Sequence, residues 1–369
     1  ARWLHDAGYR TAHIGKYMNG YGPRSPIPPG WDEWWATSVN PFLMYDYTLN
    51  HNGQEEHFGF APEDYKTDVL TRLATGFVRD AAPRTQPFYL QVWYTAPHAE
   101  LGTDSRGVTY TNAPRPAPRD LGRFAAATLP TDPSFNEADV SDKPEWVRAL
   151  PPIGKQRVQS ITGNYRNRLA SLAAVDEGVR AVVHAVDEAG ELDRTVFVFT
   201  SDNGYAQGEH RFPSGKSVVY EPSIRVPFFV AGPGFPSGAT VRSPITFADV
   251  APTFARLAGT TPGGPVDGKP LEETIARPDA DRAVPVGSGL DTEVDSRFEA
   301  VRTTRWLYAR YPATGESELY DLRRDPHELH NRQDDAKLRA VRAQLERLLP
   351  LVQSCRRAAC QVPVARDLS

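Results

Sequence analysis

The sequence predicts a mixed α/β protein, with a mostly parallel central sheet flanked by helices over residues 1–279 and a small α+β subdomain over 280–369. Three observations carry this. A long helical pattern at 156–188 runs into a dense β-branched strand at 195–200, which is half of a β-α-β unit. The chain holds 33 Pro and 28 Gly in 369 residues with no repeat period, which excludes a helical bundle, a coiled coil and a collagen-like chain. Hydrophobic residues make up 40%, ample for a sizeable core. The balance of 42 Lys and Arg against 46 Asp and Glu, net −4, argues against a general nucleic-acid binder. No apolar run approaches the roughly 18–20 residues needed to cross a bilayer, and no basic-then-apolar leader opens the chain.

The elements follow in order. Trp3, Leu4 and Ala7 share a helical face and Gly8 sits at a C-cap position, so the first seven residues read as the end of a helix. The missing opening turn and the absent initiator Met lead to the expectation that a segment precedes Ala1. Residues 9–14 read as a strand feeding the Gly15-Lys16 loop. The stretch 20–64, rich in Gly, Pro, Asn and aromatics, reads as surface excursions. Apolar spacing at Val69, Leu70, Leu73 and Phe77 predicts a helix over 64–80. Residues 88–93 form a continuous apolar strand of the type covered on both faces. The Pro-rich stretch 102–152 reads as a long insertion with little regular structure. Leu169, Leu172, Val175, Val179, Val182 and Val186 keep helical spacing up to Gly190. A strand is predicted at 226–230 and a helix at 247–257, stopped by Gly259. Antiparallel strands at 306–311 and 318–322 and a charged helix at 336–349 complete the chain.

In parallel sheets, ligands sit beyond the carboxyl ends of the strands. Lys16, His98, Asp202-Asn203, and His210 with Lys216 occupy such positions. Singly, each has an ordinary reading: a solvated loop lysine, a turn histidine, an Asp-Asn-Gly turn. Together they have a chemical logic. An Asp carboxylate beside an Asn carbonyl offers hard oxygens suited to Ca²⁺ or Mg²⁺. Two lysines and a histidine around that ion suit a tetrahedral oxyanion such as sulfate or phosphate. His98 would then protonate or hydrogen-bond the leaving oxygen.

The segment from Asp6 through Gly15-Lys16-Tyr17 resembles the second signature of the type I sulfatases. Ala96-Pro97-His98 looks like their histidine loop. Ser201-Asp202-Asn203-Gly204, Gly208-Glu209-His210, Gly215-Lys216, Tyr220-Glu221 and Ile224-Arg225-Val226-Pro227 resemble their metal and lysine region. Leu319-Tyr320-Asp321-Leu322 with Asp325-Pro326 is similar to their C-terminal signature. Tyr17-Met18-Asn19-Gly20, Gly30-Trp31-Asp32-Glu33-Trp34 and Tyr47-Thr48-Leu49-Asn50 lean toward the N-acetylglucosamine-6-sulfatase-like branch. The resemblance implies an alkaline-phosphatase-like fold and a sulfuric ester hydrolase acting on a sulfated sugar, such as a glycosaminoglycan, or on an aryl sulfate. By it, Asp202 and Asn203 are Ca²⁺ ligands, Lys16 and Lys216 hold sulfate oxygens, and His98 acts near the leaving group. His210 is a pocket-wall candidate for substrate contact, while Tyr220, Glu221 and Arg225 support the loop. Many sulfatases carry His two residues after the first signature lysine, where this chain has Met18.

The sequence departs from the family in a larger way. The strand ending in paired Asp and the Cys- or Ser-x-Pro-x-Arg motif, whose first residue becomes the formylglycine nucleophile, do not occur among the 369 residues. Cys360 through Arg366 has the wrong spacing for that motif. Cys355 and Cys360 read instead as a local disulfide suited to an exported, secreted or periplasmic protein. The expectation is that residues 1–369 alone hydrolyse sulfate esters poorly, since Asp plus Asn falls short of the 6–8 oxygens Ca²⁺ takes and covalent catalysis lacks its first step. The sheet neighbours of the absent strand are expected to expose unpaired edges. Two alternatives stay open: a phosphoester or phosphonate hydrolase on the same scaffold, and a non-catalytic binder of sulfated glycans. The expected partner is thus a sulfated small molecule or glycan, with no nucleic acid and no transmembrane segment.

Overall fold

The computed structural model describes every residue except 83–84, 104–107, 279, 289–295, 366–367 and 369. Residue 279, where the first expected domain ends, and Arg366, the end of the run from Cys360, lie outside the described residues. The chain divides into two compact units: Ala1–Leu129 with Thr162–Thr195 and Ala258–Thr260, and Pro130–Ile161 with Val196–Leu257 and Thr261–Ser369. Among the described residues no helix is long and apolar enough to cross a membrane.

The first unit opens with α1 (Arg2–Asp6). It ends in a Schellman motif, in which Gly8 (φ +89°) donates its N–H to the His5 carbonyl and Tyr9 to that of Leu4. A five-stranded sheet follows: β1 (Arg10–Gly15), β2 (Glu33–Val39), β3 (Tyr47–His51), β4 (Gln54–Phe58) and, after α2 (Lys66–Ala81), β5 (Phe88–Trp93). Its order is β4-β3-β2-β1-β5. β1 runs parallel to both neighbours, with Ala12 opposite Glu33 and Leu90, while β2, β3 and β4 form an antiparallel meander. The expectation of surface excursions over 20–64 is therefore wrong for 33–58, which supplies three strands of this sheet. Trp34, Ala36, Tyr47 and Leu49 are fully buried there. A signal for them was present: Asn52-Gly53 supplies the two positive-φ residues (+49° and +95°) that a tight hairpin turn needs between β3 and β4.

α2 lays Val69, Leu70 and Ala74 against Ile14, Tyr47 and Leu49. Each such buried aliphatic side chain contributes about 1.5–3 kcal/mol. β5 is half-buried rather than covered on both faces, and its last residue, Trp93, is 44% exposed. A hairpin of β6 (Glu100–Thr103) and β7 (Thr109–Asn112) opens the insertion, and most of 113–144 is irregular as expected. Past α3 (Glu145–Arg148), the long helix α4 (Lys155–Glu188) gives its part from Thr162 onward to this unit. Ala174 packs there with Met44, Tyr45, Tyr65 and Ala117. At Gly178 a Cβ would meet Thr71 Oγ1 and Tyr94 Oη at 2.6 Å, so a larger residue there would have to displace these two hydroxyls.

In the second unit β8 (Phe197–Thr200) is followed by α5 (Glu221–Ile224) and β9 (Phe228–Ala231). β8 and β9 pair antiparallel, whereas a helix followed by a strand suggested parallel pairing. Two helices, α6 (Val250–Leu257) and α7 (Leu271–Ile275), precede β10 (Arg282–Gly287), β11 (Glu299–Arg302), β12 (Trp306–Arg310) and β13 (Ser317–Asp321); α8 (Arg339–Gln353) and β14 (Val362–Pro363) close the chain. The last five strands form an antiparallel sheet in the order β13-β12-β11-β10-β14. Alternation with period two sends Val301, Trp306, Tyr308 and Leu319 to one face, with Leu345, Leu349 and Val352 of α8. Ala300, Leu307, Ala309 and Tyr320 go to the other, with Val140, Val147, Val218, Val219 and Tyr220. Both faces are apolar, so the sheet is a buried layer. The disulfide between Cys355 and Cys360 is formed.

Candidate active site

Lys16 stands at the end of β1. Gly15 precedes it at φ +119°, and a Cβ there would lie 2.2 Å from the Trp93 carbonyl oxygen, so the turn into Lys16 requires glycine. The Lys16 amide donates to that carbonyl at 3.0 Å. Its Nζ donates to Asn19 Oδ1 at 3.0 Å and to the Tyr17 carbonyl at 3.2 Å, and lies 5.5 Å from the centroid of the Phe42 ring. His98 follows β5 in a turn closed by its amide on the Thr95 carbonyl, with Ala96–Pro97 cis. Its ring stacks on the same Phe42 at 4.6 Å. His98 Nδ1 sits 2.6 Å from the Ala99 carbonyl oxygen. A carbonyl only accepts, so Nδ1 carries the hydrogen and Nε2 is the nitrogen that gains and loses a proton. Arg168 braces this loop through the Pro97 carbonyl at 3.1 Å. The first unit thus brings Lys16 and His98 onto one aromatic ring.

Asp202 and Asn203 follow β8. Gly204 needs to be glycine, because a Cβ would meet the Pro222 carbonyl oxygen at 2.2 Å. The reciprocal bridge between Ala206 and Gly215 folds the chain back, and Lys216 Nζ reaches Asn203 Oδ1 at 2.7 Å. Asn203 and Lys216 are therefore together, with Asp202 exposed beside them. His210 is elsewhere in the same loop and 1% exposed. Its Nδ1 lies 2.6 Å from Glu137 Oε2, its ring lies 4.0 Å from that of Tyr220, and its Nε2 has no hydrogen-bond partner among the described residues. Lys143, fully buried, holds Glu137 at 3.4 Å and donates to the Leu329 carbonyl at 2.6 Å.

Tyr220 in turn donates to Glu318 at 2.9 Å, and the same carboxylate accepts from Tyr311 and Tyr320. Burial pushes the Glu318 carboxyl up, against the three hydroxyls that pull it down. Glu221 pairs with Arg302, at 3.1 and 3.2 Å, and lies 3.7 Å from Arg225. Sequence reasoning missed Phe42, Glu137, Lys143 and Glu318, because each is tied to the candidate loops by a partner distant along the chain: Glu137 and His210 are 73 residues apart, and Glu318 and Tyr220 are 98 apart.

Among the described residues no group of three or more His, Cys, Asp or Glu is placed to hold a metal ion. Asp202 and Asn203 suit a hard cation in kind but not in number, and the Asn203 oxygen already accepts from Lys216. These two residues do not make a complete site.

The solved structure of BT4656 in complex with its substrate D-glucosamine-2-N,6-O-disulfate matches this chain with a TM-score of 0.72 at 22% identity, over 95% of this chain and 81% of that one. The fold is accordingly that of the sulfatases and alkaline-phosphatase-like hydrolases. The family model for sulfatases matches residues 1–260, and that for the C-terminal region of N-sulphoglucosamine sulphohydrolase matches 208–354. The chain belongs to the sulfatase family. It is 33% identical to an arylsulfatase of Chlamydomonas reinhardtii over 98% of its own length and 62% of the relative's. To the N-acetylglucosamine-6-sulfatase of Homo sapiens it is 32% identical, over 68% of this chain and 44% of that one. The chain thus spans about three fifths of the algal enzyme and less than half of the human one.

Proposed function

We propose that the protein is a secreted sulfuric ester hydrolase acting on a sulfated sugar or aryl sulfate. The observation that carries this reading is the sulfatase match over 1–260, which spans all six candidate residues. In this reading Lys16 and Lys216 bind sulfate oxygens, where a charge-assisted contact contributes most once water is excluded. His98, with Nδ1 on the Ala99 carbonyl, hands a proton from Nε2 to the leaving oxygen. Asp202 and Asn203 contribute two hard oxygens toward a calcium ion. The nucleophile, a formylglycine in this family, has no counterpart motif in residues 1–369, so the chain by itself is expected to turn over sulfate esters poorly. His210, buried against Glu137 and Tyr220, is assigned the role of a support within the loop that carries Lys216. A sulfated glycan substrate is supported by the sugar sulfatases among the relatives, and export by the formed disulfide.

The test compares p-nitrophenyl sulfate with p-nitrophenyl phosphate, using protein expressed from the complete reading frame. Faster release from the sulfate supports the proposal. Preference for the phosphate would make the protein a phosphoesterase on this scaffold, and retention on heparin without any turnover would make it a glycan binder.

A further inference from the structure

Lys66 is an unusual residue for its place. It is fully buried, and it opens α2, where the helix dipole disfavours a cation. Burial lowers its pKa to about 7, with Glu100 acting in the opposite direction. Something specific has to hold it there. Its Nζ donates to the carbonyls of Asn40 and Pro41, both at 3.2 Å, and lies over the Tyr47 ring at 4.4 Å. Thr95 Oγ1, three residues before His98, donates to the same Pro41 carbonyl at 3.1 Å. Glu100 accepts from the Met44 amide at 3.0 Å. Two buried charged side chains and one hydroxyl therefore grip the segment 40–44 on both sides of Phe42. The Phe42 ring is the one under both the Lys16 ammonium and the His98 imidazole.

We infer that Lys66 is a positioning residue: it ties down the Asn40 and Pro41 carbonyls and so fixes the aromatic ring that orients Lys16 and His98. The catalytic meaning of this rests on the proposed sulfatase reading, but the positioning does not, since it concerns ring geometry alone.

The test reads the His98 imidazole directly by NMR in the 369-residue chain, with His98→Gln giving the assignment. Phe42→Leu removes the ring current on His98 and defines the full displacement of its ring-proton resonances. Lys66→Met is expected to produce a displacement in the same direction and to shift the pH titration of that ring, leaving the exposed His57 and His184 unmoved. A Lys66→Met protein with His98 resonances as in the parent overturns the inference. Should that variant not fold, Thr95→Val, which removes the other side-chain donor to Pro41, is expected to move the same resonances part of the way. No movement there overturns it equally. In protein from the complete reading frame, Lys66→Met is expected to lower kcat by about tenfold to a hundredfold with a smaller change in KM. A displaced His98 with unchanged turnover would leave the positioning standing and remove His98 from the chemistry.

Discussion

His13 shows how one residue ties the fold to its surroundings. It is fully buried on β1, with its ring stacked on Trp34 at 4.6 Å and edge-on to Tyr17 and Trp93. Nδ1 faces Gln91 at 3.3 Å, and Nε2 has no hydrogen-bond partner among the described residues. Burial lowers its pKa from 6.5 to about 4. Between those values the unfolded ring takes a proton that the folded ring refuses, so stability falls as the pH drops from 6.5 to 4. The loss is roughly 3 kcal/mol. His13→Phe is expected to remove this part of the acid sensitivity. Urea unfolding of both proteins at pH 7 and 4.5 checks it; equal losses in the two would contradict the assignment.

At the scale of elements, two connections hold the loop bearing His210 and Lys216 and the end of the chain. Tyr220 joins that loop to the C-terminal sheet through Glu318. Tyr220→Phe is expected to cost about 1–3 kcal/mol, since it leaves a buried carboxyl with two of its three donors. The same change should speed hydrogen exchange at the Ala206 and Gly215 amides, which form the bridge behind Lys216. Unchanged exchange would separate Tyr220 from that loop. The second connection is the disulfide, which closes a loop with a sequence separation of 5 just ahead of β14. Replacing both cysteines by Ser is expected to cost about 2 kcal/mol, measured as a lowered denaturation midpoint. These elements differed in how well the sequence announced them. α2, α4, β12 and β13 were legible from apolar spacing. β2, β3 and β4 were hidden because Gly and Pro at 20–30 set the tone for the whole stretch, although Asn52-Gly53 marked the hairpin. Pro285 disguised β10; it lies past Ala283, where β14 stops and a strand edge tolerates proline.

For the whole molecule, family and fold were legible because sulfatase signatures sit at strand ends along most of the chain. Lys16, His98, Asp202, Asn203 and Lys216 were readable in this way, as loop residues after β1, β5 and β8. The supports were not: Phe42, Lys66 and Glu137, and Glu318 through its bond from Tyr220, act through contacts between segments far apart in sequence, which no local pattern encodes. His210 was legible as a motif residue, but its burial against Glu137 and Tyr220 was not. The most direct measurement is sulfate release from p-nitrophenyl sulfate by protein from the complete reading frame, unmodified and as Lys216→Ala. Turnover by the unmodified protein and a fall in kcat/KM of about 10²–10³ for the variant are expected, the cost of removing one charge-stabilising donor. Equal turnover by the two proteins, or no release from this or any other sulfate ester, would contradict this expectation.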